Sequence, residues 1–350
     1  MEKTGIVRDI RYMDHHPGFG HPESPRRLEV LYDMLEDPDM AGRFQDIPAR
    51  EADTEELCLI HSLRYIKRVA STAERAHDWL DPDTTTSSGS YEAALLAAGG
   101  LCEAVSRVAS GELDNAFALV RPPGHHAETD EGRGFCLFNN VAIGARYAQT
   151  ALHLKRILIV DWDLHHGNGT QHSFESDPSI LYFSTHQYPY YPGSGASHEV
   201  GRRQGEGFTV NVPLGTGYGD GEYAAIFEKI LKPIVPDFKP ELILVSAGFD
   251  IYRGDPLGGM KVSPKGFAGL TRLIMEIAAS CCGGKIVFTL EGGYDLKGLR
   301  DSVKAVLKEL AGLAFTNYAD MMAGANPVAV DMALKSVLQV QSRYWKNLRP

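Results

Sequence analysis

No stretch of this 350-residue chain reads as a linker: there is no Pro/Ser/Gly-rich tract, no block of like charge and no low-complexity run. No repeat with the period of a solenoid or propeller, roughly 20–50 residues, is visible. No apolar run approaches the roughly 18 residues needed to cross a bilayer, and "MEKTGIVRDI" lacks the apolar core of a signal peptide. Cysteine is scarce: Cys58, Cys102, Cys136, Cys281 and Cys282 are odd in number and show no C-x-x-C spacing. That excludes a disulfide framework and a cysteine zinc site. Basic residues are in deficit, 35 Lys and Arg against 45 Asp and Glu, a net charge of −10. A broad basic surface for nucleic acid is therefore excluded, while cationic substrates such as lysine side chains or polyamines suit the charge. No G-x-S-x-G elbow and no P-loop occur, and "GTGYGDG" (215–221) lacks the strand and spacing of a dinucleotide fingerprint. The expectation is a soluble, cytoplasmic protein with no nucleic-acid or membrane partner, in which the "NGT" sequon at 168–170 is idle; a homo-oligomer is compatible with it.

What is present is an α/β alternation running almost end to end, which predicts one domain over 1–350, with 315–350 as a terminal helical segment. Short β-branched runs predict strands at Ala116–Val120, Arg156–Val160, Ile180–Ser184, Glu241–Ser246 and Lys285–Leu290. Several are apolar throughout, as strands covered on both faces must be. Helical patterns lie at 90–109, with Ser90 as its cap, and at 139–152, 221–232, 263–280 and 296–311, the fourth opened by Ser263-Pro264. Strands alternating with helices imply a mostly parallel, doubly wound sheet.

Ionisable residues collect just after these strands: "RPPGHH", "DWDLHH", "AGFD" and "EGGY". Ligands of open α/β sheets bind outside the carboxyl ends of the strands, so four segments deliver His, Asp and Tyr to one edge. In extended chain, Asp161, Asp163 and His165 share a face while Trp162 and Leu164 point into packing. Asp163 and His165 offer an oxygen and a nitrogen ligand, and Asp250 is the candidate third, which suits a divalent transition metal. The bland alternative is a hydrogen-bonded Asp/His cluster capping the helix after "GNG". His125 and His126 are either further ligands or a general base and acid. In "EGGY" the glycines allow close approach and Tyr294 can donate to an oxyanion; the plain alternative is a turn with a packing tyrosine.

"RPPGHHAETDEGRGFCLFNNVAIGA", "VDWDLHHGNGTQ", "SAGFDIYRGDPLGG" and "LEGGYD" together resemble the zinc-dependent histone deacetylase superfamily, with its acetylpolyamine amidohydrolase relatives, over about residues 10–315. Asn168 in "HHGNG" and the "DPLGG" segment resemble the class II branch and its bacterial amidohydrolases. The resemblance implies the arginase/deacetylase fold, a central mostly parallel sheet flanked by helices with the active site at the strands' carboxyl ends. It implies Zn2+, with Fe2+ compatible, on Asp163, His165 and Asp250. It implies His125 and His126 as base and acid, partnered by Asp161 and Asn168, and Tyr294 polarising the amide carbonyl. Phe135 and Tyr191 would wall a narrow tunnel beside Gly134, with Leu257 at its rim and Arg27 below the metal. Potassium is implied near Asp161, Asp163, His165 and Ser184. The entrance segment 81–94 departs from the family's loop, whose acidic role is placed on Asp83.

The implied reaction is removal of acetyl or another acyl group from lysine of a peptide or protein. Acetylpolyamine is the alternative substrate; Leu257 stands where polyamine enzymes carry an acidic gatekeeper. A binuclear manganese ureohydrolase is disfavoured because Asp250-Ile251-Tyr252 lacks its second carboxylate, and a silent acyl-lysine binding module because the His125, His126 and Tyr294 set is intact.

Overall fold

Eight short strands hydrogen-bond into one all-parallel sheet in this computed structural model, which describes residues 2–348. In chain order they are β1 (Thr4–Val7), β2 (Gln45–Ile47), a separate hairpin of β3 (Asp78–Asp81) and β4 (Thr84–Thr86), β5 (Asn115–Ala118), β6 (Ile157–Asp161), β7 (Ile180–Gln187), β8 (Thr209–Leu214), β9 (Leu242–Ala247) and β10 (Ile286–Leu290). The sheet order is β2-β1-β5-β10-β9-β6-β7-β8. The five strands expected from the sequence are there, each shifted by a few residues at its ends. β1, β2, β8 and the hairpin were not anticipated.

The central strands are buried on both faces, as their unbroken apolar runs require. Helices Ser90–Ala109 and Asn140–Thr150 pack on each other and on the sheet, as do Pro264–Cys282 and Leu296–Leu310. Ser263 caps the third of these, its Oγ accepting from Gly266 N at 3.2 Å. Ser90 corrects the expectation: Gly89 holds the N-cap position, and Ser90 is already helical. Its hydroxyl instead accepts from Ser87 N at 2.7 Å and lies 2.7 Å from His15 Nδ1. The 221–232 pattern becomes Asp220–Ile226, a π-turn at Phe227–Leu231 and Lys232–Phe238. The tail beyond 315 carries two helices, Tyr318–Met322 and Pro327–Gln341, where one was expected; residues 349–350 lie outside the described ones.

The sheet order has a direct consequence. β5, β10, β9 and β6 are consecutive neighbours, so the loops that leave their carboxyl ends meet at one place.

Candidate active site

Each of those four loops brings chemistry. From β6, Asp161 ends the strand and Asp163 and His165 follow, with Trp162 and Leu164 fully buried in the core. From β9 comes Asp250, from β5 His125 and His126, and from β10 Glu291 and Tyr294. Ligand atoms of Asp163, His165 and Asp250 all lie within 4.8 Å of one another. His165 Nδ1 is 3.1 Å from both Asp163 Oδ1 and Asp250 Oδ2. Backbone amides hold the outer oxygens: Gly292 N donates to Asp163 Oδ2 at 2.9 Å and Leu164 N to Asp250 Oδ1 at 2.9 Å.

Two observations test whether a divalent cation fits this set. Asp250 Oδ2 is fully buried and, beyond its contact with His165 Nδ1, has no hydrogen-bond partner, a costly state for a carboxylate oxygen unless a cation meets it. A Cβ on Gly292 would stand 2.3 Å from that oxygen and 2.7 Å from Asp163 Oδ2, so the chain keeps this corner free of side chain. Two carboxylates and an imidazole converging there are a donor set for zinc or iron, and the residues fit such an ion.

Beside these donors the histidine pair is wired in two ways. His125 Nδ1 faces Asp161 Oδ2 at 3.1 Å, and Tyr182 OH donates to the same oxygen at 3.0 Å. His126 Nδ1 faces Asn168 Oδ1 at 2.8 Å. Burial pulls both imidazoles toward the neutral form. For His125 the negative charges of Asp161 and Asp163 outweigh it and push the group up to about 10. For His126 burial is reinforced by His125 and His165, and its pKa falls well below the ordinary value. Two identical residues side by side are thus driven in opposite directions by their surroundings.

A narrow cavity of about 100 Å³ opens onto this group, lined by Asp83, Gly134, Phe135, Tyr191, Leu257 and Tyr294. Gly134 and Phe135 are both left-handed, at φ +57° and +68°. A Cβ on Gly134 would fall 2.3 Å from His126 Cδ2. Phe135 holds its strained backbone beside Tyr294, with their rings edge-on at 5.9 Å, and Tyr191 meets His126 edge-on at 5.1 Å. Asp83, in the β3–β4 turn, accepts from Gly134 N at 3.0 Å. Tyr190 OH donates to the Leu257 carbonyl at 2.9 Å. Burial lifts Tyr294 well above 10, so it is a neutral phenol. Arg27 is buried behind it, its guanidinium 5.1 Å from the ring and donating to Gly293 O and Glu291 O. Asp161 and Ser184 are register neighbours on β6 and β7.

Several supporting residues were missed from the sequence. Glu291 Oε2 accepts from Gly124 N at 2.7 Å and His125 N at 3.2 Å, tying the histidine loop to β10. Asp255 Oδ2 accepts from Tyr294 N at 2.6 Å and its Oδ1 from Leu257 N at 2.9 Å, joining the loops of β9 and β10. Glu23 lies fully buried among Arg27, Arg121 and His15. Only Glu291 carried a signal, an ionisable residue at the end of an apolar strand, the same signal that marks Asp161.

Fold and site together define a parallel α/β protein with a converging Asp-His-Asp donor set at the strand ends. The chain belongs to the histone deacetylase family: the histone deacetylase domain model matches residues 21–310. It is 39% identical to histone deacetylase HDA1 of Candida albicans, over 99% of this chain and 45% of that protein. To histone deacetylase 15 of Arabidopsis thaliana it is 40% identical, over 94% and 59% respectively. The crystal structure of the HDA15 HD domain superposes with a TM-score of 0.92 at 38% identity, covering 99% of this chain and 97% of that one. The chain thus spans about half the length of the curated relatives it matches. No helix among the described residues is long and apolar enough to cross a membrane.

Proposed function

We propose that this chain is a metal-dependent amidohydrolase of the class II type that removes acyl groups from the ε-amino group of lysine in peptides or proteins. One observation carries the reading: the Asp163, His165 and Asp250 set, the unequal histidine pair and Tyr294 meet at the end of one narrow, aromatic-walled cavity. That shape suits the apolar four-methylene stem of lysine. Zn2+ fits the donors, Fe2+ also, and either would acidify water and polarise a carbonyl when bound. The family resemblance adds a structural K+ near Asp161, Asp163, His165 and Ser184.

The protein's own groups divide the work. Neutral His126 takes a proton from the attacking water and returns it to the leaving amine. His125, paired with Asp161, lies beside the reacting centre, where its imidazole can face the negative charge that develops. Tyr294, a neutral phenol, donates to the oxyanion. Phe135 and Tyr191 exclude water from the stem, and Asp83 is placed at the mouth for the substrate backbone. Arg27 backs the Tyr294 ring.

An acylated polyamine is the second reading of the same site, disfavoured by the apolar Leu257 at the rim. Turnover of an acetyl-lysine peptide and of N-acetylputrescine, each with a chelator control, separates them. Chelator-sensitive hydrolysis of the peptide is expected, with Leu257→Glu shifting preference toward the polyamine. Wild-type preference for N-acetylputrescine would overturn the lysine assignment, and turnover of neither acetyl substrate would overturn the proposed acetyl-lysine activity.

A further inference from the structure

Behind His126 a line of side chains runs outward to the surface. The Asn168 amide nitrogen donates to Glu128 Oε1 at 2.5 Å and to the His126 carbonyl at 3.3 Å. His172 Nδ1 meets the same Glu128 oxygen at 2.9 Å. His126 and Asn168 are buried, whereas the His172 side chain is 45% exposed. Asn168 and His172 stand four residues apart on the helix Asn168–Phe174, so both face one side and bracket the carboxylate. The backbone of Glu128 is fixed as well: its carbonyl accepts from His61 Nδ1 at 2.9 Å and its N–H donates to Glu131 O at 2.8 Å.

The donor rules leave one arrangement. A carboxylate and a backbone carbonyl only accept, so the NH2 end of Asn168 must face Glu128 and the His126 carbonyl. Asn168 Oδ1 is then turned on His126, and an amide oxygen only accepts. The proton of neutral His126 must therefore sit on Nδ1, leaving the lone pair on Nε2. We infer that Glu128 is a positioning residue: by holding the Asn168 amide it fixes the Nδ1–H tautomer of His126, with His172 holding the carboxylate from outside. Burial raises Glu128, but its bonds from His172 and Asn168 outweigh this and keep it ionised near neutrality. Without that carboxylate the amide can turn over and offer His126 a donor, which selects the opposite tautomer.

The inference rests on His126 as the base of the proposed reaction, and the test separates the two. In Glu128→Ala, kcat should fall at least about tenfold with KM little changed, as when other ring-orienting partners are removed. Nitrogen-15 NMR of histidine-labelled protein should show His126 as Nδ1–H in the wild type and as a mixture in the variant. Glu128→Gln keeps an acceptor for the Asn168 amide and should recover most of the lost turnover. Wild-type kcat and tautomer in Glu128→Ala, with His126→Ala inactive, would overturn the positioning role and leave the proposed function standing. A fully active His126→Ala would overturn that function, and the tautomer alone would then decide the role of Glu128. If Glu128→Ala does not fold, Asn168→Asp carries the test. It sets two carboxylates face to face and should be poorly active, and adding Glu128→Gln should restore it; no restoration would overturn the inference.

Discussion

At the scale of single residues, the least conspicuous position makes the sharpest prediction. Gly292 carries no functional group, yet its missing Cβ leaves the space that Asp250 Oδ2 and Asp163 Oδ2 occupy. Gly292→Ala should lower retained zinc and turnover together, because a methyl 2.3 Å from Asp250 Oδ2 must displace that carboxylate. Gly215→Ala is the control, since its Cβ would meet only Tyr218 Cε2 at 3.9 Å. Metal per chain after dialysis is the measurement; wild-type zinc content in Gly292→Ala would refute the steric account. The ionisable residues at strand ends were legible because burial of such groups needs a reason. Glu128, Glu23 and Asp255 were not, because they act by receiving hydrogen bonds at long sequence separation, which leaves no periodic mark. Glu23, for example, sits 98 residues from Arg121.

Among elements, legibility followed position in the sheet. The five strands read from the sequence are five of the inner six, where burial on both faces enforces an apolar run. The edge strands β2 and β8 escaped. β2 has three residues, two of them exposed, and β8 mixes Thr209, Asn211 and Pro213 among its valines. Inner β1 escaped because Thr4 and Gly5 leave only Ile6 and Val7 as an apolar run. The helix Pro264–Cys282 was legible through its Ser-Pro start, but what locks that start was not. Asp220, from the first turn of another helix, accepts from Ser263 N at 2.7 Å and Ser263 Oγ at 2.6 Å. A Cβ on Gly266 would stand 2.1 Å from Asp220 Oδ1, so the clip also explains that glycine. Asp220→Ala should cost about 1–3 kcal/mol by leaving both Ser263 donors unpaired, and Ser263→Ala about 1 kcal/mol through the lost cap. Because the two share bonds, the double variant should cost less than the sum, read from urea midpoints. Strict additivity would show that the clip is not one unit.

On the scale of the whole molecule, the buried histidines set how the fold meets acid. His61 Nδ1 donates to Glu128 O at 2.9 Å while Nε2 accepts from Asn139 N at 2.9 Å, a pattern only neutral imidazole can make. His186 is also fully buried, with Nδ1 2.9 Å from Ser184 Oγ and Nε2 2.8 Å from Gly195 O. Burial dominates both, and each is pulled down to about 4 from the ordinary 6.5. At these two sites the unfolded chain therefore binds protons near pH 6.5 that the folded chain refuses until about pH 4, and their contribution to stability falls as pH drops through that window. Each such histidine contributes about 1.4 kcal/mol per pH unit to the slope. His172, raised mainly by its bond to Glu128, acts in the opposite sense but is half exposed and counts for less. Glu23 adds a later stage: burial raises it, Arg121 and His15 outweigh this, and its stabilisation is lost only as pH falls below the ordinary 4.5. Asp250 and Glu291, raised by burial to about 7, act against the histidines over the same window, so the test is a difference: between pH 6.5 and 4.5 the urea midpoint of His61→Gln, though lower at pH 7, should fall less steeply with falling pH than that of the wild type, by about one proton. An unchanged slope in that variant would mean that His61 is protonated in the folded protein, and with it the bond to Asn139 N, which begins the helix behind the histidine loop, would be broken.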